Sequence, residues 1–397
     1  VYCTFFGMTA TVGSARIVPG IDTTEFPWVG KFYGVGGSIT SAVAIDPFWI
    51  VTARHASFFG DTEGRFQPDG YPVFSSVQIV RHPTDDVALV RLSQPLPGWF
   101  SLYTGSSEVG SIASVVGYGV RGRQVGDDWD YDWGTEGTKR RGQNRVTLAQ
   151  FLDLGSVRGW FLISDFDGRG VDSLGDGGPV TEESTLGPGD SGGGLMIRVG
   201  SEWQVAGVHS WVGSVGGGPQ PPRYGSVFGS LQLRPYGSWI RGIIPERRFA
   251  ESFSLVRGIP AGGGLQDLRA SDDAYLFLRP HIVLFSGEDP IQVIFTTTAT
   301  LSFSSLSLHL ESAVNVPNVQ QKVFLYNFQT NAWDLIDART VSQEDSLLEV
   351  NITSNPSRYV NASTREMRIR AQFASTGLTL LFPWTVRLDW LMASMNP

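Results

Sequence analysis

The chain has 397 residues, which is too long for one compact core and suits two domains. Its net charge of −8 and its scarcity of lysine argue against nucleic acid or an anionic membrane surface as a partner. No apolar run approaches the roughly 18 residues that span a bilayer. The 48 glycines and the 12% of aromatic residues favour an all-β protein. The single cysteine, Cys3, excludes an intrachain disulfide.

The first part of the chain alternates apolar strands with polar loops. Residues 1–16 lack the basic start of a signal peptide and are interpreted as an N-terminal extension or the remnant of a pro-segment. Residues 42–53 and 86–92 are predicted to be buried strands. The stretches 122–144 and 164–178 are rich in Asp, Gly and Arg and are predicted to be surface loops.

The pattern changes in the last third of the chain. A helix-like segment near 237–246 closes a first domain assigned to 17–245, and residues 246–260 are predicted to be a linker. From 261 to 397, apolar residues recur at every second position, for example at Leu306, Leu308 and Leu310. This period predicts antiparallel strands that form a β-sandwich accessory domain.

Three segments of the first domain carry residues that suit nucleophilic catalysis. His55 follows an apolar strand, Asp86 stands at the head of another, and Ser191 lies in Gly189-Asp190-Ser191-Gly192-Gly193. A serine hydroxyl needs a neighbouring base, and the base needs a third group that holds its tautomer. The glycines allow a tight turn that aims successive N–H groups at one point, as an oxyanion hole requires.

These segments, in the order His, Asp, Ser, resemble the trypsin/chymotrypsin family of serine endopeptidases, in its bacterial, secreted type. Segments 205–211, 224–227 and 236–240 resemble the family's substrate-side strand, closing strand and C-terminal helix. The resemblance implies a chymotrypsin-like double β-barrel in 17–245 and a protein or peptide substrate. It also implies a secreted or extracellular location, including association with a cell surface.

The resemblance also implies a role for each residue of the three segments. His55 is the general base, Asp86 orients it, and Ser191 attacks the acyl carbon. The N–H groups of Gly189 and Ser191 form the oxyanion hole. Asp85 competes with Asp86 for the orienting role, but Asp86 directly precedes the apolar strand, where the family carries its acid.

Activation by cleavage is a further implication. Arg16-Ile17-Val18-Pro19-Gly20 resembles the site after which a family member's new amine pairs with the acid before the nucleophile, here Asp190. Pro19 stands where the family usually has Gly. The alternative reading of this segment is an ordinary strand start.

Specificity is inferred from the residues that the resemblance places around the S1 pocket: Thr185, His209, Ser210, Trp211 and Val212. Thr185 at the base of the pocket cannot select Arg or Lys. Two preferences stay open. His209 stands where glutamyl endopeptidases bind the P1 carboxylate, and a protonatable imidazole suits that charge. Alternatively, His209 is a hydrogen-bonded strand residue beside a pocket for small or medium apolar side chains.

No cofactor and no metal site is predicted, because no Cys, His, Asp and Glu cluster has metal-ligand spacing. The acids at 127–130 and 165–167 are interpreted as solvated, since the twelve-residue calcium pattern with its closing Glu is not found. Calcium binding by these two loops stays open as the alternative.

For the accessory domain, a surface or glycan ligand is considered, with Trp333, Trp384 and Trp390 as a sugar-stacking platform. The favoured alternative is that these tryptophans pack in the core or at its edge. The rival function for the whole chain is a non-catalytic binding or surface-attachment protein built on a peptidase fold.

Overall fold

Short strands joined by glycine- and proline-rich turns make up nearly all of the regular structure, so the predicted all-β class is confirmed. The computed structural model describes residues 9–11, 17–282, 288–299, 303–376 and 383–396. Cys3, Arg16 and most of the predicted N-terminal extension lie outside these ranges. The chain divides into two units, Val1–Ile240 and Arg241–Pro397. Within the described ranges, no helix is long and apolar enough to cross a membrane.

The strands of the first unit, in chain order, are β1 (Thr9–Thr11), β2 (Ile21–Asp22), β3 (Val29–Tyr33), β4 (Thr40–Asp46), β5 (Trp49–Thr52), β6 (Arg65–Pro68), β7 (Phe74–Arg81), β8 (Ala88–Leu92), β9 (Ser101–Leu102), β10 (Ile112–Gly117), β11 (Gly122–Val125), β12 (Asp128–Tyr131), β13 (Arg140–Arg145), β14 (Leu148–Asp153), β15 (Arg158–Asp165), β16 (Gly194–Val199), β17 (Glu202–Ser214) and β18 (Val227–Gln232). Its helical segments are the 3₁₀ helices Arg54–Ser57 and Arg234–Tyr236 and the helix α1 (Gly237–Arg241).

Six strands form a closed antiparallel barrel in the order β3-β4-β5-β8-β7-β6. Its core takes alternate residues of these strands, among them Ala42 and Ala44 of β4 and Val90 of β8. The predicted single strand at 42–53 is in fact the hairpin β4–β5, because Pro47 lacks the N–H that a continuous strand needs. This hairpin brings the end of β5 beside the start of β8.

The remaining main sheet of the first unit has ten strands in the order β14-β15-β18-β17-β16-β10-β13-β2, with β1 and β9 also paired to β17. β17 is the longest of these strands and carries His209 to Val212. The stretch 122–144, predicted as a loop, holds the hairpin β11–β12 and most of β13. β11 and β12 are largely solvent-facing, and the buried positions of β13 are Arg140, Gly142 and Asn144, so none of these strands shows the apolar alternation that the prediction relied on.

The strands of the second unit are β19 (Glu246–Phe249), β20 (Ser252–Arg257), β21 (Ile259–Gly262), β22 (Leu276–Arg279), β23 (Ile291–Thr298), β24 (Ser305–Val314), β25 (Val319–Asn327), β26 (Ala332–Thr340), β27 (Ser346–Ile352), β28 (Glu366–Ser375) and β29 (Val386–Asn396). Two 3₁₀ helices accompany them, Leu265–Leu268 and Pro356–Tyr359.

These strands form two antiparallel sheets that share one apolar core, as the predicted sandwich requires. One sheet has the order β21-β22-β29-β24-β27 with β19 paired to β29, and the other has the order β20-β23-β28-β25-β26. The apolar alternation seen in the sequence supplies the core: Leu308 and Leu310 from one sheet meet Val323 and Ile369 from the other.

Two expectations about the second unit are wrong. Residues 246–260 are not a linker, because β19 and β20 pair with β29 and β23. The double arginine suggested a polar connection, whereas Phe253 and Leu255 pack against the sandwich core. The sugar-stacking platform is also wrong, because Trp384 and Trp390 are buried, where they contribute apolar area to packing. Trp333 is half-buried beneath the Arg370 guanidinium, 4.5 Å from its ring centre.

Candidate active site

The three candidate catalytic residues come from three separate elements of the first unit. His55 lies in the 3₁₀ helix directly after β5. Asp86 lies just before β8, and Ser191 lies in the loop before β16. Because β5 and β8 are neighbours in the closed barrel, their ends hold His55 and Asp86 side by side.

The structure brings these three side chains into one hydrogen-bonded line. His55 Nδ1 lies 2.8 Å from Asp86 Oδ2, and the His55 backbone N–H donates to Asp86 Oδ1 at 2.9 Å. On the other side of the ring, His55 Nε2 lies 2.8 Å from Ser191 Oγ. A carboxylate at Nδ1 requires the proton on that nitrogen, so Nε2 is left as the acceptor for the serine hydroxyl.

The two neighbouring aspartates have different partners. Asp86 is buried and also accepts a hydrogen bond from Ser210 Oγ at 2.5 Å. Asp85 faces away from the imidazole: it accepts from Tyr236 Oη at 2.7 Å and lies 3.4 Å from Arg158 Nε. Of the two aspartates, it is therefore Asp86 that contacts His55. Ser210, expected only beside the substrate, holds the second carboxylate oxygen of Asp86.

The loop around Ser191 depends on two glycines in left-handed conformations, Gly189 at φ 99° and Gly192 at φ 86°. A side chain on Gly192 would place its Cβ 2.0 Å from the carbonyl oxygen of Ser41. Ser41 itself, in β4, donates its backbone N–H to the Ser191 carbonyl at 2.9 Å and its Oγ to the Gly189 carbonyl at 3.0 Å. Sequence reasoning missed Ser41, because a serine in a buried strand belongs to no motif.

His209 is fully buried and does not reach a substrate. Its Nε2 accepts the N–H of Val116 at 3.3 Å, so its Nδ1 carries the proton and donates to Ser230 Oγ at 2.8 Å. Burial lowers the pKa of His209 to about 3, so the ring is neutral at pH 7. The expectation that His209 binds a P1 carboxylate is therefore wrong: the residue is the hydrogen-bonded strand histidine of the alternative reading.

The other predicted substrate-binding residues lie in two segments, Thr185 before the nucleophile loop and Trp211 and Val212 on β17. Thr185 is buried, and its backbone exchanges two hydrogen bonds with Val18, at 2.7 and 2.8 Å. Its Oγ1 has no hydrogen-bond partner in the described part of the chain. Trp211 and Val212 follow Ser210 along β17 and are also buried. Backbone pairing of β1 with β17 covers residues 212–214.

Comparison with known families agrees with this geometry. The sequence model described as Trypsin matches residues 19–233, more than half of the chain. The chain belongs to the trypsin family. Membership makes it a trypsin-like serine peptidase, a hydrolase whose substrates are proteins, and confirms the resemblance at the level of the family. The trypsin-family match ends before the second unit begins. No curated protein matches the chain.

Proposed function

We propose that the chain is an active serine endopeptidase in which Ser191 is the nucleophile, His55 the general base and Asp86 its orienting acid. The observation that carries this proposal is the unbroken hydrogen-bonded line from Asp86 through His55 to Ser191 Oγ, with distances of 2.8 Å on both sides of the imidazole. Nucleophile, base and orienting group in hydrogen-bond reach are what acyl transfer by serine requires.

In this mechanism His55 Nε2 accepts the hydroxyl proton while Ser191 Oγ attacks the acyl carbon, and the N–H groups of Gly189 and Ser191 hold the oxyanion. The imidazolium then gives that proton to the leaving amine, and the acyl group stays on Ser191. Water, deprotonated by His55, hydrolyses this ester and restores the serine. Asp86 stabilises the imidazolium without taking its proton.

Small or medium apolar P1 side chains are the proposed preference. Thr185 carries no charge, so it supplies no ion pair for Arg or Lys. His209 is neutral and engaged on both ring nitrogens, so it offers no cation to Glu. Peptides that differ only at P1 test this proposal. We expect the highest kcat/KM with Ala, Val or Leu at P1, and faster cleavage after Glu, Arg or Lys would contradict it.

Activation by a cut before Ile17 is proposed as well. Ile17 and Val18 are buried, and Asp190 in the nucleophile loop is buried and accepts the N–H of Gly119 at 2.9 Å. These contacts support a site in which the new amine of Ile17 pairs with Asp190. N-terminal sequencing of active enzyme is expected to begin Ile-Val-Pro, and full activity with an intact Arg16–Ile17 bond would contradict the cut.

The two adjacent aspartates give a matched test of the catalytic proposal. In Asp86→Asn the imidazole loses the carboxylate that fixes its tautomer, so kcat is expected to fall by about 10⁴-fold. In Asp85→Asn the changed group contacts Tyr236 and Arg158, so kcat is expected to stay near the parent value. Thermal melting of both variants separates these effects from loss of the fold.

A fluorophosphonate probe separates the peptidase from the rival functions. Labelling of the processed chain that disappears in Ser191→Ala supports the nucleophile. Folded chain that is not labelled favours the non-catalytic binding protein. Labelling without hydrolysis of any peptide in the P1 panel favours an esterase.

A further inference from the structure

Four aspartates of the first unit converge where β15 runs into the following loop. One carboxylate oxygen from each of Asp165, Asp167, Asp172 and Asp176 lies within 4.8 Å of the other three. Asp165 is the last residue of β15, and the other three lie in the long connection before the nucleophile loop. None of the four belongs to the proposed catalytic site.

The protein leaves buried oxygens of this cluster without a donor. Asp165 and Asp167 are only 1% and 3% exposed, yet the Oδ1 atoms of both have no hydrogen-bond partner in the described ranges, and the same holds for Oδ1 of Asp176. Burial of an unpaired carboxylate oxygen is costly. A group that supplies positive charge at the centre of the cluster would remove this cost.

The protein holds carboxylate oxygens of Asp165, Asp172 and Asp176, which fixes the direction of these three groups. Asp165 Oδ2 accepts the N–H of Leu174 at 2.7 Å, and Asp176 Oδ2 accepts from Thr147 Oγ1 at 2.6 Å. Asp172 accepts the backbone N–H of Gly177 at 3.2 Å, a contact that curls the loop back on itself. The buried Oδ1 atoms of Asp165 and Asp176 are thus left for another ligand.

Cations among the described residues balance only part of the charge of the four carboxylates. Arg145 Nε lies 4.0 Å from Asp176 Oδ1. Arg169, inside the loop, instead pairs with Asp127 at 2.9 Å.

The spacing of the segment fits an oxygen-ligand loop for calcium. Counted from Asp165, acids occupy positions 1, 3 and 12 of a twelve-residue loop, and position 6 is Gly170 at φ 79°. Calcium loops of the helix-loop-helix type use these same positions, with the glycine for a sharp turn. This segment does not match the standard calcium pattern, because position 12 is Asp176 instead of Glu and position 5 is Arg169.

We propose that Asp165, Asp167, Asp172 and Asp176 bind one Ca²⁺ ion. Four hard carboxylates in irregular arrangement suit Ca²⁺, which accepts six to eight oxygens, better than Mg²⁺, which demands a near-ideal octahedron. Each acid can supply one oxygen, and water completes the shell. Of the two interpretations of the acids at 165–167, calcium binding is therefore the one proposed.

The ion would order a segment that borders the proposed substrate pocket. Phe166, between two ligands, donates its N–H to the Ser226 carbonyl at 2.8 Å and accepts from the Gly225 N–H at 2.7 Å. Its ring packs on Tyr224 at 4.6 Å between centres. Binding of Ca²⁺ is therefore expected to stabilise the first unit, whether or not the chain is catalytically active.

The test uses the full chain carrying Ser191→Ala, so that self-digestion does not interfere. Isothermal titration with CaCl₂ after treatment with a chelator is expected to give one site with a Kd below about 1 mM. Calorimetric melting is expected to move upward with Ca²⁺ and much less with equal MgCl₂. Asp167→Asn is expected to weaken binding at least tenfold, while Asp130→Asn, an exposed acid on the β11–β12 hairpin, retains it.

Melting in chelator shows whether the variants are folded. Because Asp167→Asn replaces a carboxyl group crowded against Asp165 with a neutral amide of the same size, it is expected to melt without metal at or above the temperature of its parent. Asp172→Asn provides a second variant. Because Asp172 is exposed, this substitution does not change a buried group. The proposal is overturned if 10 mM CaCl₂ gives neither heat nor a melting shift. Unchanged affinity in both folded variants would overturn it equally.

Discussion

The Oγ of Ser41 donates a hydrogen bond to the carbonyl oxygen of Gly189, and the two atoms are 3.0 Å apart. The same Oγ accepts the N–H of Tyr118 at 3.0 Å, and the Ser41 backbone N–H donates to the Ser191 carbonyl at 2.9 Å. One buried serine of the closed barrel therefore holds two carbonyl groups of the nucleophile loop, that of Gly189 through its side chain and that of Ser191 through its backbone. The Gly189–Asp190 peptide, which lies between the two proposed oxyanion N–H groups, is held by a residue 148 positions before Gly189 in the chain.

Ser41→Ala is expected to lower kcat roughly tenfold with little change in KM, since loss of one buried hydrogen bond leaves the Gly189 carbonyl and the Tyr118 N–H unpaired. Ser41 is a positioning residue, so the rate of fluorophosphonate labelling should fall in parallel with kcat. Steady-state kinetics on a peptide substrate give the two constants separately.

Ser76→Ala is the matched control for this substitution. Ser76 is also a buried barrel serine that donates to a carbonyl, that of Asp61, and accepts an N–H, that of Gly64, both at 2.9 Å. Its removal is expected to lower the melting temperature by a similar amount and leave kcat unchanged. Equal losses of kcat in the two variants would show that Ser41 acts only through stability.

The contrast between Ser41 and the triad shows what the sequence can reveal. His55, Asp86 and Ser191 stand in local patterns, an apolar strand followed by a polar residue or a glycine-rich turn, and the strand pairing brings them together as predicted. Ser41 carries no local signal, because its partners are set by the packing of one β-structure against another. The secreted location and the surface ligand of the accessory domain stay predictions.

The spacing of residues in the sequence also did not predict which polar side chains are buried. The position of His209 on β17 follows from the sequence, but its partners Val116 and Ser230 lie on two other strands. The four clustered aspartates were likewise visible as acids, whereas the missing donors for their buried oxygens appear only in the fold. The solvent-facing strands β11 and β12 were not predicted, because both of their faces are mostly polar and no apolar period marks them as strands.

His209 is expected to contribute a loss of stability as the pH falls. In the unfolded chain its pKa is about 6.5, and burial lowers it to about 3 in the fold, so the unfolded state binds more protons at this group between these values. The contribution of His209 to stability is therefore complete above pH 6.5 and is lost as the pH falls. Between pH 7 and pH 5 the loss from this one group is about 2 kcal/mol.

Denaturant unfolding of the full chain at pH 7, 6 and 5 checks this prediction. His209→Gln is expected to be less stable than the parent at pH 7, and this difference is expected to shrink by about 2 kcal/mol at pH 5. His281→Gln, which changes an exposed histidine, is expected to keep the parent slope. Parallel profiles for the parent and His209→Gln would contradict a neutral buried imidazole.

Residues 212–214 of β17 are paired with the chain's own β1. Residues 212 and 213 pair with β18 on one side, and residues 212–214 pair antiparallel with residues 9–11 on the other. An extended peptide that adds a strand to this edge must displace β1. The proposed cut before Ile17 would separate β1 from the catalytic unit, so the comparison uses the uncleaved chain carrying Ser191→Ala. In that protein, deletion of residues 1–11 is expected to lower the Kd of a long peptide roughly fivefold, the order of one hydrogen bond of about 1 kcal/mol.

Deletion of residues 1–8 is the control, because it keeps β1 and should leave the Kd unchanged. All three proteins carry Ser191→Ala and are compared with the Arg16–Ile17 bond intact. A short peptide, which does not extend along the edge of β17, should bind all three with the same Kd. If the longer deletion lowered the Kd of the short peptide as much as that of the long one, β1 would not be competing with peptide for this edge.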